Sequence, residues 1–258
     1  MFSDSRIPDT VWVVMPAFNA ERTLRSTVED LPLGLRERVI LVDDASGDNT
    51  ITVAEELGLV IRSHDRNRGY GANQKTCYQE ALARGADYVV MVHPDNQYDA
   101  RMAAVMVEIL ALGNCDMILG NRIRTRKEAL EGGMPRWKYF ANRLSTLVEN
   151  LILGQSVGDF HSGMRAYTAD VLRTIPIERN SDDFAFDQEF LVQAVAAGFR
   201  IGDVPVPVRY MEEASSINFK RSLTYAWGGL RVVGAYLLHR YGVKRDARFN
   251  FPEVAKPQ

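Results

Sequence analysis

The residues able to do chemistry fall in short polar clusters, most of them placed directly after an apolar run. His93-Pro-Asp-Asn-Gln97 is one of them. Asp95 and Gln97 present oxygen ligands from one tight turn. A divalent ion bridging Asp95 and a diphosphate would offset leaving-group charge as a glycosidic bond breaks. The plainer reading is a polar turn with His93 hydrogen-bonded locally, and the segment alone does not choose. Asp43-Asp44 opens a second cluster that runs to Thr50. Either Asp44 and Ser46 make turn and cap hydrogen bonds to the backbone, or one carboxylate accepts hydrogen bonds from a nucleotide base or ribose. Paired acids at a crevice are common site material. Asp187-Gln-Glu189 opens a helix, where acids serve the helix dipole unless one of them faces a sugar. Arg122, Arg136 and Arg143 flank a charged, glycine-containing segment, 124–133, that reads as a mobile loop. Most arginines are simply solvated, yet arginine is also the preferred partner of a phosphate.

These clusters need strands to hold them. Val11–Met15, Val39–Val42, Leu59–Ile61, Tyr88–Val92 and Met117–Leu119 are short apolar runs that read as strands. Helical stretches separate them, the first capped by Asn19 with Glu21 and Arg22 in its first turn. The alternation predicts an α/β fold with a largely parallel sheet and helices on both faces. Ligands then bind beyond the carboxyl ends of the strands, where the polar clusters sit. Further on, 136–153 reads as a helix, 162–167 as a short extended piece, 184–197 as a helix and 201–208 as an edge strand, because of Pro205 and Pro207. Residues 217–241 look like one or two helices. The loop Asn67-Arg-Gly-Tyr-Gly-Ala-Asn73 is glycine-rich, but Gln74 stands where the third glycine of a dinucleotide fingerprint belongs. It is a weak phosphate cradle, and a dinucleotide-dependent oxidoreductase is disfavoured.

Composition sets the outer bounds. The 258 residues are 46% hydrophobic and 25% charged, with a formal net charge of -2. That describes a globular chain with a sizeable core and no basic balance for nucleic acid. Cys77 and Cys115 read as reduced thiols. No basic-then-apolar leader is visible, and no apolar run reaches the roughly 18 residues of a membrane span. A cytoplasmic enzyme is the expectation, at the inner face of the membrane if the acceptor is a lipid.

Met15-Pro-Ala-Phe-Asn-Ala-Glu21, Val42 to Thr50, Asn67-Arg-Gly-Tyr-Gly71, His93-Pro-Asp-Asn-Gln97, Gly120-Asn-Arg122 and Ser162-Gly-Met-Arg-Ala-Tyr167 occur in an order and at strand ends that together are specific. The set resembles the family 2 glycosyltransferases, in particular the polyprenyl-phosphate hexosyltransferases of the dolichol-phosphate mannosyltransferase group, over roughly residues 10–210. The resemblance implies a GT-A fold with a mostly parallel sheet flanked by helices, and inverting transfer of a hexose from a UDP- or GDP-sugar to a polyprenyl phosphate. It implies that Pro16, Phe18, Glu21, Asp43 and Asp44 hold the nucleotide. Asp95 and Gln97 would bind Mn2+ or Mg2+. Arg122, Arg136 and Arg143 would meet the acceptor phosphate, and Asp187 or Glu189 would lie near the acceptor. A saccharide or small soluble acceptor, or a sugar-nucleotide binding module without turnover, are the alternatives. Two departures matter. His93 replaces the first aspartate of the family's Asp-x-Asp, and imidazole is a poorer ligand for magnesium than for manganese: either His93 coordinates a manganese ion as a third ligand, or the ion rests on Asp95, Gln97 and the diphosphate. The family's Gly-x-Ser-Lys element is missing around Glu213–Asn218, with Lys220 or Arg221 as substitutes. The expected division is a catalytic domain, 8–212, and a helical extension, 213–258. The extension is a candidate for peripheral membrane contact through Tyr225 and Trp227, or for homo-oligomer formation.

Overall fold

The computed structural model describes residues 10–208 and 219–251. In chain order the elements are β1 (Val11–Ala17), α1 (Leu24–Glu29), α2 (Leu33–Arg36), β2 (Val39–Asp43), α3 (Thr50–Glu56), β3 (Val60–Ser63), α4 (Tyr70–Ala83), β4 (Tyr88–Met91), α5 (Met102–Ala111) and β5 (Met117–Asn121). Then follow α6 (Arg126–Glu131), α7 (Arg136–Leu153), β6 (Arg165–Thr168), α8 (Ala169–Thr174), α9 (Phe186–Ala196), β7 (Ile201–Pro205) and α10 (Phe219–Arg240).

The seven strands form one sheet in the order β3-β2-β1-β4-β6-β5-β7. Every neighbouring pair is parallel except those made by β6, which runs antiparallel to both β4 and β5. Strand residues alternate between two cores. Val14, Ile40, Val42, Val89 and Met91 pack on the side of α4, α8, α9 and α10. Val13, Met15, Val39, Leu41 and Val90 pack on the side of α1, α3 and α5. A central parallel strand is buried on both faces, which is why β1 and β2 read as unbroken apolar runs. Each such side chain contributes about 1.5–3 kcal/mol when fully buried. Val60 to Ser63 is only half-buried to exposed, as befits one sheet edge, and β7 with Pro205 forms the other.

Two local expectations are corrected. Asn19 does not cap the first helix, which starts at Leu24 with Thr23 before it, so Glu21 and Arg22 precede its first turn. Asn19 has a φ of 54° and stitches two loops together: its Oδ1 accepts from Gly47 N at 2.8 Å and its N donates to Ser46 Oγ at 2.8 Å. Asparagine tolerates that backbone region better than most residues. Segment 124–133 is not all loop, since it holds α6, capped by Thr125 Oγ1 accepting from Glu128 N at 3.1 Å.

The expected boundary near 213 lies outside the described residues, as do Glu213–Asn218 and the side chains of Lys220, Arg221, Tyr225 and Trp227. The described side of α10 packs on α9, with Val232, Val233 and Tyr236 in one buried cluster with Phe190 and Phe249. Among the described residues no helix is long and apolar enough to cross a membrane.

Candidate active site

The parallel register sets Ala17 beside Asp43, so the loops after β1 and β2 share one crevice wall. The acids of that wall are already hydrogen-bonded. Asp43 accepts from Ser46 N at 3.0 Å and from Ser46 Oγ. Buried Asp44 accepts from Arg68 N at 2.8 Å, Gly69 N at 3.0 Å and His64 Nδ1 at 2.7 Å, and so shapes the 64–69 loop. Glu21 accepts from Asn49 N at 3.0 Å and Asn49 Nδ2 at 3.1 Å. Of these only the Asp43–Ser46 pair is a local turn; the partners of Asp44 and Glu21 come from loops 20 or more positions away. Pro16 is buried in β1, whereas Phe18 is 53% exposed on the wall.

The next wall joins β4 to α9. After β4 the chain turns at Asn96, with φ 54°, and Asp95 Oδ1 accepts from Gln97 N at 3.0 Å. The His93 ring stacks on Tyr70, and Tyr70 stacks on Phe184 with centroids 4.9 Å apart. Tyr70 Oη donates to Asp187 Oδ2 at 2.9 Å, so it accepts from His93 Nε2–H, 3.2 Å away. Gln74 Nε2 donates to Asp187 Oδ1 at 2.9 Å, and Arg165 Nη1 lies 3.6 Å from the same oxygen. The structure thus brings His93 and Asp187 together through Tyr70. Glu189 is engaged elsewhere: it accepts from Ser181 N at 2.6 Å and pairs with Arg248 Nη1 at 2.6 Å. The glycines of 67–73 let this assembly close. A Cβ at Gly71 would overlap the Ser181 carbonyl, and Gly71 N donates to Asp182 O at 2.7 Å.

As a metal site the turn is partial. Among the described residues no group of three or more His, Cys, Asp or Glu side chains is arranged to hold an ion. Asp95 keeps Oδ2, His93 keeps Nδ1, and the Gln97 amide completes the candidate set. Such a set fits an ion that draws its other ligands from a diphosphate, as Mg2+ commonly does, and does not make a closed cage.

A second polar layer lies against the first. Arg122 grips buried Asp159 through Nε at 2.7 Å and Nη2 at 3.2 Å, and Asn142 Nδ2 donates to Asp159 at 2.9 Å. Burial would raise the Asp159 carboxyl, but Arg122 and these donors outweigh it and hold it well below the usual carboxylate range. Arg143 Nη1 donates to Gly158 O at 2.6 Å, and Arg136, the first residue of α7, is exposed. Glu149 accepts from Gln188 Nε2 at 2.9 Å and lies 3.4 Å from His161 Nε2. Burial first, then the Asp159 charge, pushes the Glu149 carboxyl up to about 8. Burial lowers His161 to about 4 against the pull of Asp159. Both groups are therefore neutral near pH 7, and their contact is not an ion pair. Tyr70, Gln74, Asp159 and Arg165 were not singled out as site residues by sequence reasoning. Arg165 carried a signal: an arginine inside an apolar extended segment needs an anion beside it.

The family model for Glycosyl transferase family 2 matches residues 12–175, from β1 to the end of α8. The chain is 26% identical over 219 residues to the UDP-N-acetylglucosamine–dolichyl-phosphate N-acetylglucosaminyltransferase of Methanococcus voltae, covering 78% of this chain and 86% of that protein. It is 26% identical over 243 residues to the undecaprenyl-phosphate mannosyltransferase of Micrococcus luteus, covering 86% and 97%. Among solved structures, glucosyl-3-phosphoglycerate synthase from Mycobacterium tuberculosis, in complex with Mn2+, UDP and phosphoglyceric acid, superposes with a TM-score of 0.64 at 19% identity, over 92% of this chain and 80% of that one. That likeness establishes the GT-A fold. Since the matched stretch contains the strand ends on which the crevice walls are built, the chain belongs to glycosyl transferase family 2.

Proposed function

We propose that this enzyme moves a hexose, with inversion, from a UDP- or GDP-sugar to a polyprenyl phosphate. Asp187 carries the reading. Both its oxygens already accept from fixed donors, Tyr70 and Gln74, with Arg165 beside them. A carboxylate so committed is poorly placed to collect a proton from a sugar hydroxyl. A phosphate acceptor arrives ionised and needs no such base. The two relatives' names, which specify polyprenyl-phosphate acceptors, support the same class.

In this reading the nucleotide lies along Pro16, Phe18, Glu21, Asp43 and Asp44, with the exposed Phe18 ring as its apolar contact. The diphosphate meets the 93–97 turn. A divalent ion there, Mn2+ or Mg2+, would supply positive charge to the leaving group. His93, Asp95 and Gln97 would hold it, and Tyr70 would fix the His93 ring through Nε2. Arg136, with Arg122 and Arg143, would meet the acceptor phosphate through guanidinium forks.

Arg136 decides the test, because Arg122 and Arg143 also hold Asp159 and Gly158. The protein is assayed with UDP-glucose, UDP-N-acetylglucosamine and GDP-mannose against undecaprenyl phosphate. One donor should give lipid-linked product. Arg136→Gln should lower transfer by about tenfold or more, the worth of one charge-assisted hydrogen bond, and spare donor hydrolysis. Asp187→Asn should cost less. The reverse order, or product only on a saccharide or a soluble phosphorylated acid, would overturn the lipid-phosphate reading. Donor binding without any product would make the chain a binding module.

A further inference from the structure

Tyr167, Tyr78, Gln74, Asp187, Tyr70 and His93 form one chain of hydrogen bonds, and its protons all point towards Asp187. Tyr78 Oη donates to Gln74 Oε1 at 2.7 Å, so Tyr167 Oη, 3.2 Å away, is the donor to Tyr78. Gln74 Nε2 donates to Asp187 Oδ1 at 2.9 Å. Turned over, that amide would set its oxygen against the carboxylate, acceptor against acceptor, so Asp187 fixes which way it faces. From the other side Tyr70 Oη donates to Asp187 Oδ2 at 2.9 Å, and His93 Nε2 lies 3.2 Å from Tyr70 Oη. Tyr78, Tyr167, Gln74 and Asp187 are buried, where water offers few competing partners.

The direction of the bonds matters at the His93 end. A metal-binding imidazole is neutral and carries one N–H, and the hydrogen bond made by one nitrogen decides what the other can offer. Tyr70 Oη has one hydrogen and gives it to Asp187, so towards His93 it accepts. Nε2 therefore carries the proton, and Nδ1 carries a lone pair. The ring is also held in place: Tyr70 stacks on its face, and a Cβ added at Gly163 would lie 2.8 Å from its Cδ2.

We infer that Asp187 is a positioning residue for the metal turn: acting through Tyr70, it sets the His93 tautomer that leaves Nδ1 able to bind a divalent ion. The inference rests on the metal role proposed for the 93–97 turn, and it gives Asp187 a task on the donor side of the site.

Asp187→Asn keeps the shape and reverses the bonds. Its amide oxygen has to face Gln74 Nε2, so its NH2 faces Tyr70. Tyr70 Oη then accepts from the variant and donates to His93 Nε2, which moves the ring proton to Nδ1. The test is nitrogen NMR of the full chain, isotope-labelled at its four histidines, at about pH 8, above the ordinary histidine range. His93→Ala identifies the His93 signals. Wild type should carry the proton on Nε2 and Asp187→Asn on Nδ1. Calorimetry with UDP or GDP present should show Mn2+ affinity falling by about tenfold or more in Asp187→Asn, the usual loss for an outer partner of a metal-binding histidine. Excess Mn2+ should make up the loss in transfer. Adding Asp187→Asn to His93→Ala should cost no further affinity, because the residue it works through is gone. Since Asp187→Asn also removes a charge beside buried Arg165, Tyr70→Phe is the second variant. It keeps that charge and the ring stack, and should leave the His93 tautomers mixed and the Mn2+ affinity lowered. A proton that stays on Nε2 in both variants, additive losses in the double variant, or wild-type Mn2+ affinity in His93→Ala would overturn the inference. Asp95→Ala separates the two failures: wild-type Mn2+ affinity there would refute the metal turn itself, whereas a loss there alone would overturn only the part given to Asp187 and Tyr70.

Discussion

The crevice at the strand ends and the shelf made by α6 and α7 treat charge in opposite ways. In the crevice the carboxylates are bonded on several sides: Asp44 by two backbone amides and His64, Asp187 by Tyr70 and Gln74 with Arg165 alongside. On the shelf Arg136 and the side chains of Phe140, Leu144, Leu147 and Leu151 are exposed. A group that must keep its geometry through a reaction is over-determined, and a group that meets a partner from outside is left open. Glu149, between the two, shows the cost of too few donors. It is buried with one amide donor and the Asp159 charge close by, and burial first, then that charge, raises its carboxyl to about 8.

The contrast can be broken at the crevice first. Asp95→Ala should leave the fold intact and cut turnover by about 10²–10³-fold, the usual loss when one transition-state electrostatic contact is removed. Excess chelator should do the same, and full turnover in chelator would refute the metal role. Next in size is Gly71→Ala, whose added methyl meets the Ser181 carbonyl and Phe186. It should destabilise by about 3 kcal/mol in urea unfolding, at the upper end for overpacking. Glu149→Gln sharpens the middle case. A carboxyl raised to about 8 in the fold gives stability that is present below its unfolded value and is lost as pH rises towards about 8. The variant lacks that loss, so its melting temperature should gain on wild type between pH 5 and pH 8, by more than about 1.4 kcal/mol equivalent, one pKa unit. An unchanged difference between the two pH values would show that Glu149 ionises normally. The smallest effect belongs to the shelf: Leu151→Ser, at an 82% exposed position, should change stability by within about 0.5 kcal/mol.

The legible part of this molecule was the part built on local pattern. β1, β2, β4 and β5 announced themselves as apolar runs ended by polar clusters, and Pro205 marked an edge. The GT-A fold followed from the order of six short motifs. What local pattern could not supply was pairing across the chain. Asp187 was named as a candidate, but Tyr70, Gln74 and Arg165, which hold it, come from α4 and β6 and share no period with it. Gln74 was noticed only as a missing glycine, and its role is to bond Asp187. The cap assigned to Asn19 failed because a tertiary contact with Gly47 outcompeted the local one. α6 was passed over although Thr125 and Glu128 stand at capping-box spacing, because its charge and glycines dominated the reading.

The antiparallel placement of β6 also fixes a timetable. β4 and β5 are not neighbours; each pairs with β6, whose residues Arg165–Thr168 come more than forty positions after β5 ends at Asn121. During synthesis, β1 to β4 can assemble from the amino-terminal third, but the ladder edge of β4 has no strand to receive until β6 is made. β5 waits longer, since its other partner, β7, is made later still. Contacts this distant in sequence close slowly and expose unpaired edges meanwhile. The last strands therefore add to a half-built sheet, and the edge of β4 stays unpaired until β6 is in place.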